Sequence, residues 1–131
     1  MSKSTIFVTG ASGMLGSKIS HILTQKGFHV LAVYNSNEEF VPSGKNSEKV
    51  YLDITGKINP NQFKNIHTII HCAAVTDVNF CELNKPLCRK VNVDGTKNLV
   101  NLAEFLGANF IYISTPMVFS GKKVWIKQTH T

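Results

Sequence analysis

The sequence predicts an α/β protein, a doubly wound and mostly parallel sheet of about five strands. Three observations carry that prediction. Short β-rich runs alternate with helical patterns along the chain. A glycine-rich turn, VTGASGMLG at 8–16, joins the first such run to the first helix. The chain is 131 residues long, which suits one domain and one core.

The elements follow in order. STIFVTG, from Ser4, is a β-rich run ended by Gly10. From Met14, the residues Leu15, Ile19, Ile22 and Leu23 recur at helical spacing, and Gly27 supplies a stop. FHVLAVY (28–34) reads as the second strand. Residues 35–48 are polar, carry Pro42 and Gly44, and read as a loop. KVYLDI (49–54) is a short third strand, and 55–65 is weakly patterned, with room for a helical turn or two. IHTIIHCAA (66–74) reads as a buried fourth strand. Leu87, Val91, Leu99, Leu102 and Leu106 then mark one long helix from about Pro86 to Leu106. Pro86 suits its first turn and Gly107 its stop. ANFIYIS (108–114) is the fifth strand. The expected strand order is 3-2-1-4-5, with the switch point between strands 1 and 4.

Composition excludes several classes. The hydrophobic content, 43%, is ordinary for a globular protein, and the apolar runs are strand-sized, so no membrane span is expected. MSKSTIFVTG has no apolar run followed by a small-residue cleavage site, which favours the cytoplasm. The formal net charge is +6, but Lys122, Lys123 and Lys127 sit in the last ten residues. The remaining basic residues are scattered among acids rather than set in a stripe, so nucleic acid is not the expected partner. The three cysteines, Cys72, Cys81 and Cys88, are an odd count with no CxxC pair and no histidine cluster. They are expected to be small buried or half-buried thiols, with no metal site.

Gly10, Gly13 and Gly16 have the spacing GxxGxxG. Gly10 allows the sharp exit from the strand, Gly13 a close approach of a pyrophosphate, and Gly16 tight packing of helix on sheet. The helix start offers unpaired N–H groups and positive dipole to phosphates. Placement between a strand and a helix makes the spacing meaningful, and a dinucleotide is expected. The turn alone is the alternative. The second strand ends Val33-Tyr34-Asn35-Ser36, without the carboxylate that holds the ribose hydroxyls of NAD. Asn35 and its neighbour tolerate a 2′-phosphate, which leans toward NADP, with NAD open.

TGASGMLG, LDIT (52–55), HCAAVTDV (71–78), VNVDGTKNL (91–99) and FIYISTPMVFSG (110–121) occur in this order. Together they resemble the extended short-chain dehydrogenase/reductase family over residues 5–121. The nearest likeness within it is to the dTDP-4-dehydrorhamnose reductases and to their non-catalytic relatives among methionine adenosyltransferase regulatory subunits. The resemblance implies a Rossmann-like domain at 1–121, a basic tail at 122–131 unlike the family, and a nucleotide-sugar substrate for the full-length family protein. It implies that Gly10, Ser12, Gly13, Met14 and Leu15 line the pyrophosphate site and that Asp53 and Ile54 meet the adenine. By the same likeness Cys72, Ala73 and Ala74 pass beneath the pyrophosphate and ribose, and Thr76 lies near the nicotinamide. Asn92 would brace the active-site backbone, and Thr115 would match the catalytic hydroxyl that bonds the substrate carbonyl. Read without the likeness, Asp53 is equally a strand-end turn residue, His71 a satisfied strand-end histidine, and Cys72 a packing residue.

The chain also departs from the family. Pro116 and Met117 stand where the rhamnose reductases carry an acid and a tyrosine. The family reaction uses a Tyr-x-x-x-Lys pair, in which the lysine lowers the tyrosine's pKa. Here Tyr34, Tyr51 and Tyr112 are followed four residues on by Glu38, Thr55 and Pro116. All three tyrosines fall in expected strands. A truncated form of the family fold, lacking its C-terminal part and inactive alone, is the expectation. The alternative is a non-enzymatic dinucleotide-binding or regulatory module. An exposed fifth-strand edge would also permit a homo-oligomer.

Overall fold

The computed structural model describes residues 4–113. Five strands, β1 (Thr5–Thr9), β2 (His29–Tyr34), β3 (Ser47–Tyr51), β4 (Ile66–His71) and β5 (Asn109–Tyr112), form one parallel sheet. Their order is β3-β2-β1-β4-β5, as the sequence predicts. The helices are α1 (Met14–Gln25), α2 (Val78–Leu83), α3 (Lys85–Arg89) and α4 (Thr96–Leu106). A π-helical segment, Lys90–Gly95, joins α3 to α4.

Strand β1 is central and buried on both sides, so its residues alternate between two cores. Phe7 points to one face, where it joins Ile69, Leu99 and Leu102 beneath α4. Ile6 and Val8 point to the other, with Val30, Ala32 and the α1 residues Ile19 and Leu23. Phe7 is fully buried and meets the edge of Phe63 at a ring distance of 5.2 Å. Its truncation to alanine would cost about 3–5 kcal/mol, the usual range for a buried phenylalanine.

Glycines end two helices as expected. Gly107 takes φ 66° after α4, and the Ala108 amide donates back to the Ala103 carbonyl at 2.9 Å. Gly27 takes φ 88° after α1, and Phe28 bonds back to Leu23 in the same way. Only a residue without Cβ enters that left-handed region freely.

Helical structure runs unbroken from Lys85 to Leu106, as expected, and three expectations need correction. Within that helix the Thr96 hydroxyl donates to the Asn92 carbonyl at 2.8 Å. That bond competes with the regular backbone ladder, and the helix widens to a π turn there. Helix α2 was not foreseen; Asp77 caps it, accepting from the Phe80 amide at 3.0 Å. Strand β4 stops at His71 rather than at 74, because the Cys72 and Ala73 amides turn to the side chain of Thr9. The cysteines are not all thiols: Cys81 and Cys88 are joined as a disulfide, Cα atoms 5.6 Å apart, and only Cys72 is free. Spacing in sequence could not reveal this, since the bend between α2 and α3 brings the two together.

Residues 55–65 hold only a 3₁₀ turn at Pro60–Gln62. Among the described residues no helix is long and apolar enough to cross a membrane, and no cluster of ligating side chains could hold a metal ion.

Candidate functional site

The strand order reverses between β1 and β4, and a cavity of about 310 Å³ opens over the C-terminal strand ends there. Crevices at such switch points are where doubly wound sheets bind ligands. Four chain segments build its wall.

The first is the glycine turn. Gly10 leaves β1 with φ 66°, and a Cβ on it would lie 2.8 Å from the Ala73 nitrogen. Glycine is therefore needed twice at this position, for the turn and for the contact with β4's continuation. Gly16 lies against the Gly10 peptide, where a Cβ would stand 2.7 Å from its carbonyl carbon. This brings the start of α1 up to the cavity. The N-cap, Gly13, provides no side-chain bond, and the first turn of α1 holds no acidic residue. Its amides and dipole are thus left without a side-chain acceptor, facing a wall that Ser12 and Gly13 help to line.

The second segment is the end of β2, where Asn35 and Ser36 line the cavity. The third is Leu52–Thr55. The Asp53 carboxylate accepts from the Thr55 hydroxyl at 2.7 Å and from its amide at 2.9 Å. Those bonds hold the Asp53 carboxyl below its ordinary range, with Lys90 adding a smaller attraction. Asp53 is therefore both a turn residue and a wall residue. Ile54 is buried against Gly95, where a Cβ would meet its side chain at 2.7 Å.

The fourth segment, Cys72–Val75, is held at both ends. The Thr9 hydroxyl oxygen accepts from the amides of Cys72 (3.0 Å) and Ala73 (3.1 Å). Asn92 grips Val75 by its amide and its carbonyl. His71 lies just beneath, 1% exposed, between Thr9 and Thr96. Burial pushes its pKa down to about 4, so the ring is neutral at physiological pH. Burial also pushes the Cys72 thiol up, which disfavours the nucleophilic thiolate.

Gly10, Ser12, Gly13, Asn35, Asp53, Ile54, Cys72, Ala73 and Ala74 all line this one cavity. Met14 and Leu15 do not; they open α1 with their side chains exposed. Thr76 is exposed outside the lining, and Asn92 acts on Val75 rather than facing the cavity. Thr115 lies outside the described residues. Sequence reading missed Thr9, Thr55, Val75 and Val91. Thr9 carried a usable signal, a hydroxyl on the last residue of an otherwise apolar strand.

A five-stranded parallel sheet with a glycine turn at its switch point defines a Rossmann-like protein. Residues 4–130 match the family described as the RmlD substrate binding domain, and the chain belongs to that family. It is 31% identical over 116 residues to the probable low-salt glycan biosynthesis reductase Agl14 of Haloferax volcanii, covering 88% of this chain and 38% of that protein. It is 30% identical over 117 residues to a dTDP-4-dehydrorhamnose reductase of Mycobacterium tuberculosis, covering 88% and 34%. The bovine methionine adenosyltransferase 2 subunit beta is 28% identical over 122 residues, covering 88% and 34%. Among solved structures, MoeE5 in complex with UDP-glucose and NAD superposes with a TM-score of 0.80 at 27% identity, covering 90% of this chain and 38% of that one. A hypothetical dTDP-4-dehydrorhamnose reductase from Sulfolobus tokodaii gives 0.74 at 27%, covering 97% and 45%. The chain thus spans 34–38% of the length of these curated relatives.

Proposed function

We propose that this chain is the dinucleotide-binding portion of an NAD(P)-dependent reductase that acts on the C4 keto group of a dTDP-linked sugar. The observation that carries this reading is the convergence of the uncapped α1 start, the glycine turn and the small-residue segment Cys72–Ala74 on one cavity. The residues present fit such a group. The amides after Gly13 suit a pyrophosphate, and the glycines leave room where a Cβ would crowd the wall. Leu52, Asp53 and Ile54 would flank an adenine, and Asn35 with Ser36 would face its ribose. Neither is a carboxylate, which accommodates the 2′-phosphate of NADP better than an acid would; NAD remains the competing cofactor. When bound, the nicotinamide supplies the hydride.

This chain's own residues bind, orient and shield. The neutral His71 network fixes the backbone of Cys72 and Ala73, and Asn92 fixes Val75. Thr115, by its resemblance to the family's catalytic hydroxyl, would bond the substrate carbonyl. None of the three tyrosines has a lysine four residues on, so the sequence contains no Tyr-x-x-x-Lys pair. A positioned proton donor contributes about two to four orders of magnitude, so the 131-residue chain alone should bind cofactor without measurable turnover.

A second reading is a regulatory dinucleotide-binding module. The likeness to the bovine methionine adenosyltransferase subunit and the residues Pro116 and Met117 favour it.

The test is a fluorescence and thermal-shift titration of the chain with NADPH and NADH. Saturable binding of either supports the dinucleotide reading, with NADPH expected tighter. No binding of either at millimolar concentration overturns it. Reduction of a dTDP-4-keto sugar by the chain alone would overturn the inactivity, and co-purification with a synthetase subunit would favour the second reading.

A further inference from the structure

Thr9, His71 and the Asn92–Thr96 turn lie on three different parts of the sequence yet form one hydrogen-bonded chain. Thr9 Oγ1 stands 2.7 Å from His71 Nδ1, and His71 Nε2 stands 2.9 Å from Thr96 Oγ1. The Thr96 hydroxyl donates to the Asn92 carbonyl.

Donor counting gives the chain a single direction. A threonine hydroxyl has one proton and two lone pairs. Both Thr9 lone pairs are taken by backbone amides, Cys72 and Ala73, which can only donate. The Thr9 proton must therefore point at His71 Nδ1, which accepts. The imidazole proton then sits on Nε2 and donates to Thr96, whose own proton goes on to Asn92. No buried side-chain nitrogen or oxygen among the described residues is left without a partner.

We infer that His71 is a positioning residue: a neutral imidazole locked as the Nε2–H tautomer. Through it, the Asn92–Thr96 turn of the long helix sets the placement of the Cys72–Ala73 backbone in the cavity wall. The segment from 72 to 75 is then held by one network, at Cys72 and Ala73 through Thr9 and at Val75 through the Asn92 side chain. The Gly10 backbone packs directly on the Cys72–Ala73 peptide, so any slip there moves the glycine turn as well. The tautomer follows from geometry alone. Its effect on cofactor affinity rests on the dinucleotide reading above.

The experiment uses the full chain with ¹⁵N-labelled histidine and long-range proton–nitrogen correlation at pH 7. His71 is expected as the neutral Nε2–H form. An Nδ1–H tautomer or an imidazolium overturns the inference, and this readout needs neither a variant nor a cofactor. Thr96→Val removes the acceptor for Nε2 from a residue that does not line the cavity. It should speed amide exchange at Cys72, Ala73 and Val75 at least tenfold and weaken NADPH binding about three- to tenfold, with Thr96→Ser restoring both. Unchanged exchange and affinity in a folded Thr96→Val overturn the positioning role. If wild type binds neither NADPH nor NADH, the dinucleotide reading fails, while the tautomer and the exchange rates still decide the network.

Discussion

Asn92 holds Val75 by both of its backbone groups: Oδ1 accepts from the Val75 amide at 2.9 Å, and Nδ2 donates to the Val75 carbonyl at 3.0 Å. One side chain on the π turn thus replaces two strand-type hydrogen bonds for a segment that has left the sheet. Asn92→Ala would leave both groups to water in a half-buried place. The expected loss is about 1–2 kcal/mol, the cost of orphaning such groups. Urea unfolding measures it, and an unchanged midpoint would mean the clamp contributes nothing.

Gly16 and Gly13 should respond differently to a methyl group. At Gly16 a Cβ would overlap the Gly10 peptide and approach the Ala11 Cα at 3.2 Å. Alanine gains about 1 kcal/mol over glycine in helix propensity, but backbone overlap costs more. Gly16→Ala should lower stability by about 3 kcal/mol or more. At Gly13 a Cβ would meet only the Gly10 oxygen at 3.3 Å, so Gly13→Ala should fold near normally while weakening dinucleotide binding. Thermal melts of the pair, followed by NADPH titration of Gly13→Ala, check both statements.

Stability should fall with acid through His71. Its folded pKa of about 4 lies below the 6.5 of the unfolded chain, so the unfolded state takes up the proton first. The contribution is full above pH 6.5, declines between 6.5 and about 4, and is lost below that. The size is on the order of 3 kcal/mol. Urea midpoints at pH 7.5 and 4.5 measure the slope, and His71→Gln should flatten it. Equal pH slopes in wild type and variant would rule His71 out as the cause.

The Cys81–Cys88 link predicts a thiol count. Under denaturing conditions without reductant, one thiol per chain should react, that of Cys72; after reduction all three should. The loop closed is short, with a sequence separation of 7, so reduction should cost only about 2 kcal/mol. Three reactive thiols before reduction would overturn the link.

Much of the fold was legible because its signals are local. Gly10, Gly13 and Gly16 sit where a strand must turn into a helix. The unbroken apolar run Ile6, Phe7 and Val8 suits a strand buried on both faces, and apolar spacing from Leu99 to Leu106 marks α4. The cavity was legible for the same reason, since its wall is made of strand ends that the topology rule brings together. Helix α2 was not legible, because six residues carry too little periodicity to be read. The π turn at Lys90–Gly95 inside the expected helix was not legible either, because it involves one hydroxyl competing for one carbonyl.

The sequence by itself determined the alternation of strands and helices, the glycine turn, the strand order and the absence of a Tyr-x-x-x-Lys pair. These depend on periodicity, on glycine's missing Cβ and on residue identity, all of which are properties of short stretches. Only the tertiary structure decided that Thr9 and Thr96 meet across His71, that Cys81 faces Cys88, and that Val75 is the backbone Asn92 braces. Hydrogen bonds and disulfides act over about 2–3 Å, and which atoms come that close across sixty residues is fixed by packing, not by spacing.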